Sequence, residues 1–228
     1  MNVKNIRMQA REALKGKWKF ALFTVLLMWV VGSVYQPPYF IYDMNLELIW
    51  SIGVTFLVVG PVSMGASWMF LDIWDGEDVA YNTSFNPIRN YRKVVALSVV
   101  LYVMIMVGSL LFVVPGVILA LMFSQSIYLL KDNPSSSIGE CLAGSRLRMK
   151  GNKRRLLMVM LSFIGFLLPP VVAMLLAILF MQGTQLGALV FLGSILYFLV
   201  IGFYLIPVMS TTAAGFYRTF INPRDVQK

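Results

Sequence analysis

The charge distribution around one stretch, residues 145–166, most strongly constrains how this chain can fold. The stretch carries six cations in its first eleven residues, and the chain then continues without a charge to Met181. A basic run that leads directly into an uncharged apolar segment is typical of a membrane-spanning helix anchored on the cytoplasmic side. The cations are Arg146, Arg148, Lys150, Lys153, Arg154 and Arg155. We therefore predict a cytoplasmic loop here, with these side chains as candidate contacts for lipid headgroups.

The composition supports an integral membrane protein. Of the 228 residues, 59% are hydrophobic and 13% are charged, whereas a soluble domain carries about 25% charged residues. The net charge of +9 would suit nucleic acid in a soluble protein, but here every Lys and Arg flanks an apolar segment. The expected partner is therefore a bilayer with an anionic inner leaflet, and no nucleic acid is expected.

Six apolar segments predict six transmembrane helices in an all-α, polytopic fold that forms a single membrane domain over residues 1–228. The predicted spans cover residues 18–35, 46–74, 94–114, 117–130, 156–181 and 188–206, and residues 207–228 form a cytoplasmic tail. Six cations precede the first span, three lie between the second and third, seven between the fourth and fifth, and three follow the sixth. The positive-inside rule then places both termini in the cytoplasm.

Two helices outside the spans are also expected. In residues 1–17, Val3, Ile6, Ala10 and Leu14 recur at helical spacing among cations, which predicts an amphipathic helix in the membrane interface. The alternative is the basic region of a signal peptide, but no small-x-small cleavage pattern follows, which favours an uncleaved first span. Residues 138–149, preceded by three serines, predict a capped helix on the cytoplasmic surface.

Proline pairs mark irregular points in the spans. Gly60-Pro61 predicts a kink, Pro115-Gly116 predicts a tight hairpin, and Pro169-Pro170 predicts a break or a strong kink. The hairpin is required because a single crossing through residues 94–130 would place the basic loop outside the cell.

Polar residues near the spans offer few candidate sites. The four acidic residues in 72–78 match no calcium loop, so we interpret them as part of a solvated loop. Ser124, Gln125 and Ser126 form the most polar stretch within a span. A structural role in hydrogen bonding between helices is favoured for this cluster, and a substrate site is the alternative.

Several short motifs, taken in order, resemble one bacterial family. They are Ala13-Leu14-Lys15-Gly16-Lys17-Trp18, Gly60-Pro61, Val114-Pro115-Gly116-Val117, Asp132-Asn133-Pro134, Met149-Lys150-Gly151-Asn152-Lys153, Leu161-Ser162-Phe163-Ile164-Gly165, Pro207 and Ala214-Gly215-Phe216-Tyr217. The set resembles the membrane proteins catalogued as domain of unknown function 975 (DUF975), although Pro169-Pro170 departs from the family pattern. The resemblance implies a multi-span protein of the cell membrane, mostly in Gram-positive bacteria, without an established activity. The family is similar to the membrane domain fused to some glycerophosphodiester phosphodiesterases.

The functional expectation is a non-enzymatic protein without cofactor or metal. The chain contains no histidine and a single cysteine, Cys141, and it has no phosphate-binding loop or nucleophile motif. Envelope homeostasis or protection, through contact with lipids or membrane-active peptides, is the favoured role. The alternatives are a transporter or channel component for an apolar or zwitterionic solute, or an accessory subunit of a membrane complex. A protein partner or an oligomer stays open.

Overall fold

The computed structural model describes residues 3–33, 44–81, 90–180 and 184–222. All regular secondary structure in these ranges is helical, which confirms the predicted all-α class. The α-helices are α1 Val3–Ala13, α2 Trp18–Ser33, α3 Met44–Val54, α4 Gly60–Asp75, α5 Tyr91–Leu111, α6 Val113–Phe123, α7 Ser126–Asp132, α8 Ile138–Arg148, α9 Lys153–Phe180 and α10 Gln185–Phe216. Two π-helical turns, Thr55–Val59 and Tyr217–Ile221, follow α3 and α10.

Five of the described helical segments are long and apolar enough to cross a membrane. They are Met44–Asp75, Tyr91–Leu111, Val113–Asp132, Lys153–Leu179 and Gln185–Ile221. They correspond to five of the six predicted spans. α2 lies within the remaining one and is apolar, with 16 residues. The connection between α2 and α3, residues 34–43, lies outside the described residues.

α5 and α6 form a hairpin whose turn lies three residues before the predicted position. Phe112, between the two helices, has an extended backbone with φ −164° and ψ 155°. Pro115 lies instead in the first turn of α6. Backbone N–H groups in the first turn have no acceptor within the helix, so a proline there costs no helical hydrogen bond. Gly116 lies so close to Ser109 of α5 that a Cβ atom would collide with it. The glycine therefore permits the tight hairpin, and Phe112 makes the turn.

The adjacent prolines of α9 do not break the helix, which continues through both of them. Of the predicted break or strong kink, the break therefore does not occur. Pro170 lacks the N–H that would donate to the carbonyl of Phe166, four residues earlier. The hydroxyl of Tyr197 on α10 donates to this carbonyl at 3.4 Å. A neighbouring helix thus supplies the missing donor, which makes a proline tolerable inside an apolar span.

The same compensation occurs at Pro61, near the start of α4. Pro61 frees the carbonyl of Leu57, and the hydroxyl of Tyr91 on α5 donates to that carbonyl at 2.6 Å. The π-helical turn Thr55–Val59 lies immediately before this site. The irregularity predicted at Gly60-Pro61 therefore takes the form of a π-helical turn.

Protein rather than lipid covers the apolar face of α1. Ile6, Ala10 and Leu14 are at most 1% exposed, and α1 contacts α4, α9 and α10. The guanidinium of Arg7 lies over the ring of Phe163 on α9 at 4.6 Å. The helix predicted for residues 1–17 is present and amphipathic, but its apolar side is part of the protein core and does not face the membrane interface.

α8 forms where it was predicted, and its start is capped. The Ser137 hydroxyl accepts from the Glu140 N–H at 3.2 Å, while the Glu140 carboxylate accepts from the Ser137 N–H at 3.0 Å. Cys141, Ser145 and Met149 share the buried face of this segment. The Ser145 hydroxyl donates to the carbonyl of Met122 on α6 at 2.8 Å, which fixes α8 against the preceding hairpin.

The last apolar helix extends beyond its predicted end at residue 206. α10 continues through the buried residues Pro207 and Val208 to Phe216, and the π-helical turn follows without interruption. The first part of the predicted tail is therefore a buried element. The last six residues, 223–228, lie outside the described part of the chain.

Buried and exposed apolar side chains separate along the helices. Residues 60–75, 123–149 and 205–221, here called the helical base, supply most of the core. The large exposed apolar side chains lie mainly in α2, α3, α6, the later part of α5, most of α9 and the first two-thirds of α10. Apolar surface of this extent is what membrane-spanning helices present to lipid.

The compensation at Pro61 generates a prediction. Tyr91→Phe removes the donor to the Leu57 carbonyl and should lower the free energy of unfolding by about 0.6 kcal/mol, the average for interhelical hydrogen bonds in membranes. Denaturation in mixed micelles measures this change. In a Pro61→Ala background the restored backbone N–H takes the carbonyl, so Tyr91→Phe should then have no measurable effect. Equal losses in both backgrounds would contradict the compensation.

Candidate functional site

The ends of three helices converge in the helical base on a group of charged side chains. α4 contributes Asp72 and Asp75, α7 contributes Lys131 and Asp132, and the π-helical turn after α10 contributes Arg218. We call these five residues the charge cluster. They meet because α4, α7 and α10 end at the same level of the base, although the residues are far apart in the sequence.

Arg218 occupies the centre of the charge cluster. Its Nε and Nη2 atoms donate to the two carboxylate oxygens of Asp75 at 2.9 and 2.7 Å. Its Nη1 and Nη2 atoms donate to the oxygens of Asp132 at 2.6 and 3.0 Å. Planar guanidinium groups are suited to such paired contacts with carboxylates. Arg218 therefore joins the end of α10 to the ends of both α4 and α7.

Neighbouring groups complete the charge cluster. The Tyr217 hydroxyl and the Asn222 amide donate to Asp132 Oδ2 at 2.6 and 2.8 Å. Lys131 forms an ion pair with Asp72. Each of these carboxylates thus accepts charge-assisted hydrogen bonds, which are stronger than bonds between neutral groups.

The charge cluster is largely shielded from solvent. The side chains of Arg218 and Asp132 are each 6% exposed, and that of Asp75 is 12% exposed. Removing charges from water costs several kcal/mol per ion, and ion pairing offsets this cost only when the partners are correctly placed. The cluster therefore selects one arrangement of the three helix ends, and losing one member leaves buried charge without compensation.

These residues correct two interpretations made from the sequence. Asp72 is buried in α4 and Asp75 is half-buried at its end, so neither belongs to a solvated loop, and Arg218 belongs to the base and not to an exposed basic tail. A signal was available. In the predicted topology the second, fourth and sixth spans end on one side, and residues of opposite charge follow these ends. Such residues are candidates for pairing.

The six predicted headgroup contacts form a separate basic surface. Arg146, Arg148, Lys150, Arg154 and Arg155 are exposed, and Lys153 is half-buried. They extend from the last turns of α8 to the first turn of α9. Within the described ranges, none of the six forms an ion pair with a carboxylate; the ion-paired cations there are Lys131 and Arg218. This basic surface is available to anions.

The polar cluster Ser124, Gln125 and Ser126 lies where α6 ends and α7 begins. The Ser124 hydroxyl donates to the Leu121 carbonyl at 2.9 Å, and the Ser126 hydroxyl donates to the Phe123 carbonyl at 2.5 Å. These two serine hydroxyls therefore do not form the predicted hydrogen bonds between helices. Their bonds are local, and they satisfy carbonyls freed at the break between the two helices.

Gln125 differs from the two serines because one of its polar atoms is not satisfied. Its Nε2 atom donates to the Ser124 hydroxyl oxygen at 2.8 Å, whereas its buried Oε1 atom has no hydrogen-bond partner among the described residues. Burying an acceptor in this way costs about 1–3 kcal/mol. Gln125 is 1% exposed and lines a cavity of about 320 Å³. The substrate-site alternative therefore has a physical basis at Gln125.

The structure also shows the surroundings of the single cysteine and tests for a metal site. Cys141 is 2% exposed, and burial together with the neighbouring Glu140 raises the pKa of its thiol, although Lys93 acts in the opposite direction. A buried, protonated thiol reacts slowly. Among the residues described, no group of three or more Cys, Asp or Glu side chains could hold a metal ion.

The fold and the sites together define an all-helical protein with several apolar helices of membrane-spanning length. Residues 96–223 match the family described as Protein of unknown function (DUF975). The match covers more than half of the chain, so the chain belongs to this family, as its motifs had indicated. No curated protein and no solved structure matches the chain. The matched segment contains Lys131, Asp132 and Arg218, whereas Asp72 and Asp75 precede it.

The charge cluster generates a stability prediction. Arg218→Met removes the guanidinium from between Asp75 and Asp132 and should lower the free energy of unfolding by about 3 kcal/mol. Detergent denaturation of the purified protein measures the loss. The matched control, Arg154→Met, removes an exposed cation and should change the free energy by less than about 0.5 kcal/mol.

Adding Asp75→Asn and Asp132→Asn to Arg218→Met removes the uncompensated carboxylate charge and should restore a large part of the lost stability. If Arg218→Met cost no more than Arg154→Met, the charge cluster would have no specific stabilising role.

Proposed function

We propose that the protein is a non-catalytic, six-span protein of the bacterial cytoplasmic membrane with both termini in the cytoplasm. It binds anionic lipid headgroups through its basic surface and contributes to envelope homeostasis or to protection against membrane-active peptides. The proposal depends above all on the contrast between two sets of cations, those that are buried and paired and those that are exposed.

The exposed set supports the proposal. Lys131 and Arg218 already have carboxylate partners, whereas the basic surface carries five exposed cations and one half-buried cation. Clustered cations beside a membrane-spanning helix are a recurring form of recognition for anionic lipids, each worth about 1 kcal/mol near the surface. α9 begins within this basic surface, which would hold these cations at headgroup level.

Contacts between helix ends support the six-span topology. Residues at or just before the starts of α2, α5 and α9 lie beside residues that follow the ends of α4, α7 and α10. The contacting pairs are Lys17 with Glu77, Lys93 with Pro134, and Arg155 with Phe220. This is the arrangement expected when α2 crosses the membrane and each successive span returns to the same side. Clustering of most cations near these ends favours a cytoplasmic location for that side.

The chemistry of the buried charges supports a non-catalytic role. The carboxylates of the charge cluster accept hydrogen bonds from Arg218, Lys131 and Tyr217. A general acid or base needs a proton-transfer partner in a substrate, and these groups are engaged with one another. The chain also contains no histidine.

One observation favours a second candidate, a transporter or channel component for an apolar or zwitterionic solute. The cavity beside Gln125 shares Leu101, Ile105 and Ile127 with a neighbouring cavity of about 280 Å³. Adjacent cavities between spans could hold a solute in passage. Flux of such a solute into liposomes containing the purified protein would favour this candidate over headgroup binding alone.

Removing charge from the basic surface tests the proposed function. A variant carrying Arg146→Gln, Arg148→Gln and Lys150→Gln should bind phosphatidylglycerol roughly 100-fold less tightly, since each of the three cations contributes about 1 kcal/mol. The measurement is phosphatidylglycerol bound per protein in mixed micelles, determined by mass spectrometry at low and high salt. High salt should reduce the difference between the variant and the wild type.

The matched control keeps the charge but exchanges the side chains, with Arg146→Lys, Arg148→Lys and Lys150→Arg. It should retain the lipid as the wild type does. In cells that lack the wild-type protein, this control should restore resistance to cationic membrane-active peptides and the Gln variant should not. Equal lipid retention by the Gln variant and the wild type would refute the proposed function.

A further inference from the structure

The cavity beside Gln125 lies inside the helix bundle, apart from the basic surface. It forms where α4, α5, α9 and α10 meet the break between α6 and α7. Its wall is mainly apolar, and residues such as Ile105, Phe123, Leu156 and Met160 contribute to it. At about 320 Å³ it is near the lower limit for ligand pockets, about 300–1,000 Å³. Such a volume suits one acyl chain rather than a two-chain phospholipid.

The hydrogen bonds around Gln125 determine which way its amide points. Because the Ser124 hydroxyl gives its proton to the Leu121 carbonyl, its oxygen is left as an acceptor. The amide nitrogen of Gln125 therefore faces Ser124 and donates to its hydroxyl oxygen at 2.8 Å. This orientation leaves the amide oxygen as the atom that needs a donor.

A second hydroxyl group on the cavity wall also donates its proton to a backbone carbonyl. Ser67 of α4 also lines the cavity, and its hydroxyl donates to the Ser63 carbonyl at 3.0 Å. The protons of Ser67 and Ser124 are thus both directed to backbone carbonyls. Tyr128 also lines the cavity, and its hydroxyl can donate or accept. The buried amide oxygen of Gln125 is the wall atom that lacks a partner within the described structure, so a ligand gains by bringing a hydrogen-bond donor to it.

The absence of charged residues from the cavity wall also restricts the charge of the ligand. All the residues that line the cavity are uncharged, so an ammonium group would be buried there without a counter-charge, which is strongly unfavourable. A hydroxyl group carries a donor without this cost. The neighbouring cavity shares Leu101, Ile105 and Ile127 and extends to the exposed Tyr102, which provides apolar space for a longer chain.

We propose that this cavity binds a neutral, single-chain amphiphile whose hydroxyl group donates to Oε1 of Gln125. Membrane alcohols and monoacylglycerols share this chemistry. The site is independent of the headgroup binding proposed above, because none of the cations of the basic surface lines the cavity.

Two photoreactive probes test the proposal on the purified full chain in lipid nanodiscs. One is a twelve-carbon alcohol with a diazirine in its chain, and the other is its O-methyl ether, which cannot donate. The alcohol should label wall residues such as Ile105 and Met160 saturably and about threefold to tenfold more efficiently than the ether, the ratio expected for one hydrogen bond. A monoacylglycerol that competes with the alcohol would identify the glyceride as a source of the same chemistry, and competition by a long-chain alcohol alone would identify the simple alcohol.

Two variants complete the test. In Gln125→Leu the alcohol should fall to the level of the ether, whereas Ala120→Phe, which fills the cavity without altering the amide, should reduce labelling by both probes. Equal labelling by the two probes in the wild type, or an alcohol preference that survives Gln125→Leu, would overturn the proposal. The ratio of alcohol to ether labelling in the wild-type protein tests the proposal even if a variant fails to fold. Failure here would leave phosphatidylglycerol retention by the basic surface unchanged.

Discussion

The position of Arg218 between two buried carboxylates is the constraint on which the arrangement of the helices depends. Its guanidinium can satisfy Asp75 and Asp132 together only if α4, α7 and α10 end side by side. Few other arrangements of the helix ends are stable, because each would leave a buried ion without its oppositely charged partner. The charge cluster also joins the segment matched by the family to Asp72 and Asp75, which precede it. The charge cluster therefore links helices on both sides of the start of the matched segment.

The same requirement, that polar groups away from water find partners, explains the irregular parts of the apolar helices. Pro61 and Pro170 each free a carbonyl, and in both cases a tyrosine from a neighbouring helix donates to it. Two buried atoms are exceptions among the described residues, the amide oxygen of Gln125 and the hydroxyl oxygen of Thr211. Of the two residues, Gln125 lines the cavity described above, which makes it a candidate for ligand binding.

The sequence predicted what depends on local patterns and missed what depends on distant partners. Charge and apolar runs were sufficient to locate most spans, and the serines before residue 138 were sufficient to predict the start of α8. The continuity of α9 through Pro169-Pro170 could not be predicted, because the compensating Tyr197 lies on another helix. The charge cluster was missed because its members, considered singly, look like ordinary solvated residues at helix ends. Only their meeting in the base gives them a common role.

Cysteine accessibility on the two sides of the membrane tests the central claim, that the ends of α4 and α7 share one, cytoplasmic side. Because Cys141 is buried, the test needs a Cys141→Ala background with a new cysteine at an exposed position, in separate Asp78→Cys, Ser135→Cys and Gln185→Cys variants. We predict that a membrane-impermeant maleimide labels Gln185→Cys in intact cells, and labels Asp78→Cys and Ser135→Cys only after the membrane is opened. Labelling of Asp78→Cys and Ser135→Cys from opposite sides, or of both in intact cells, would contradict it.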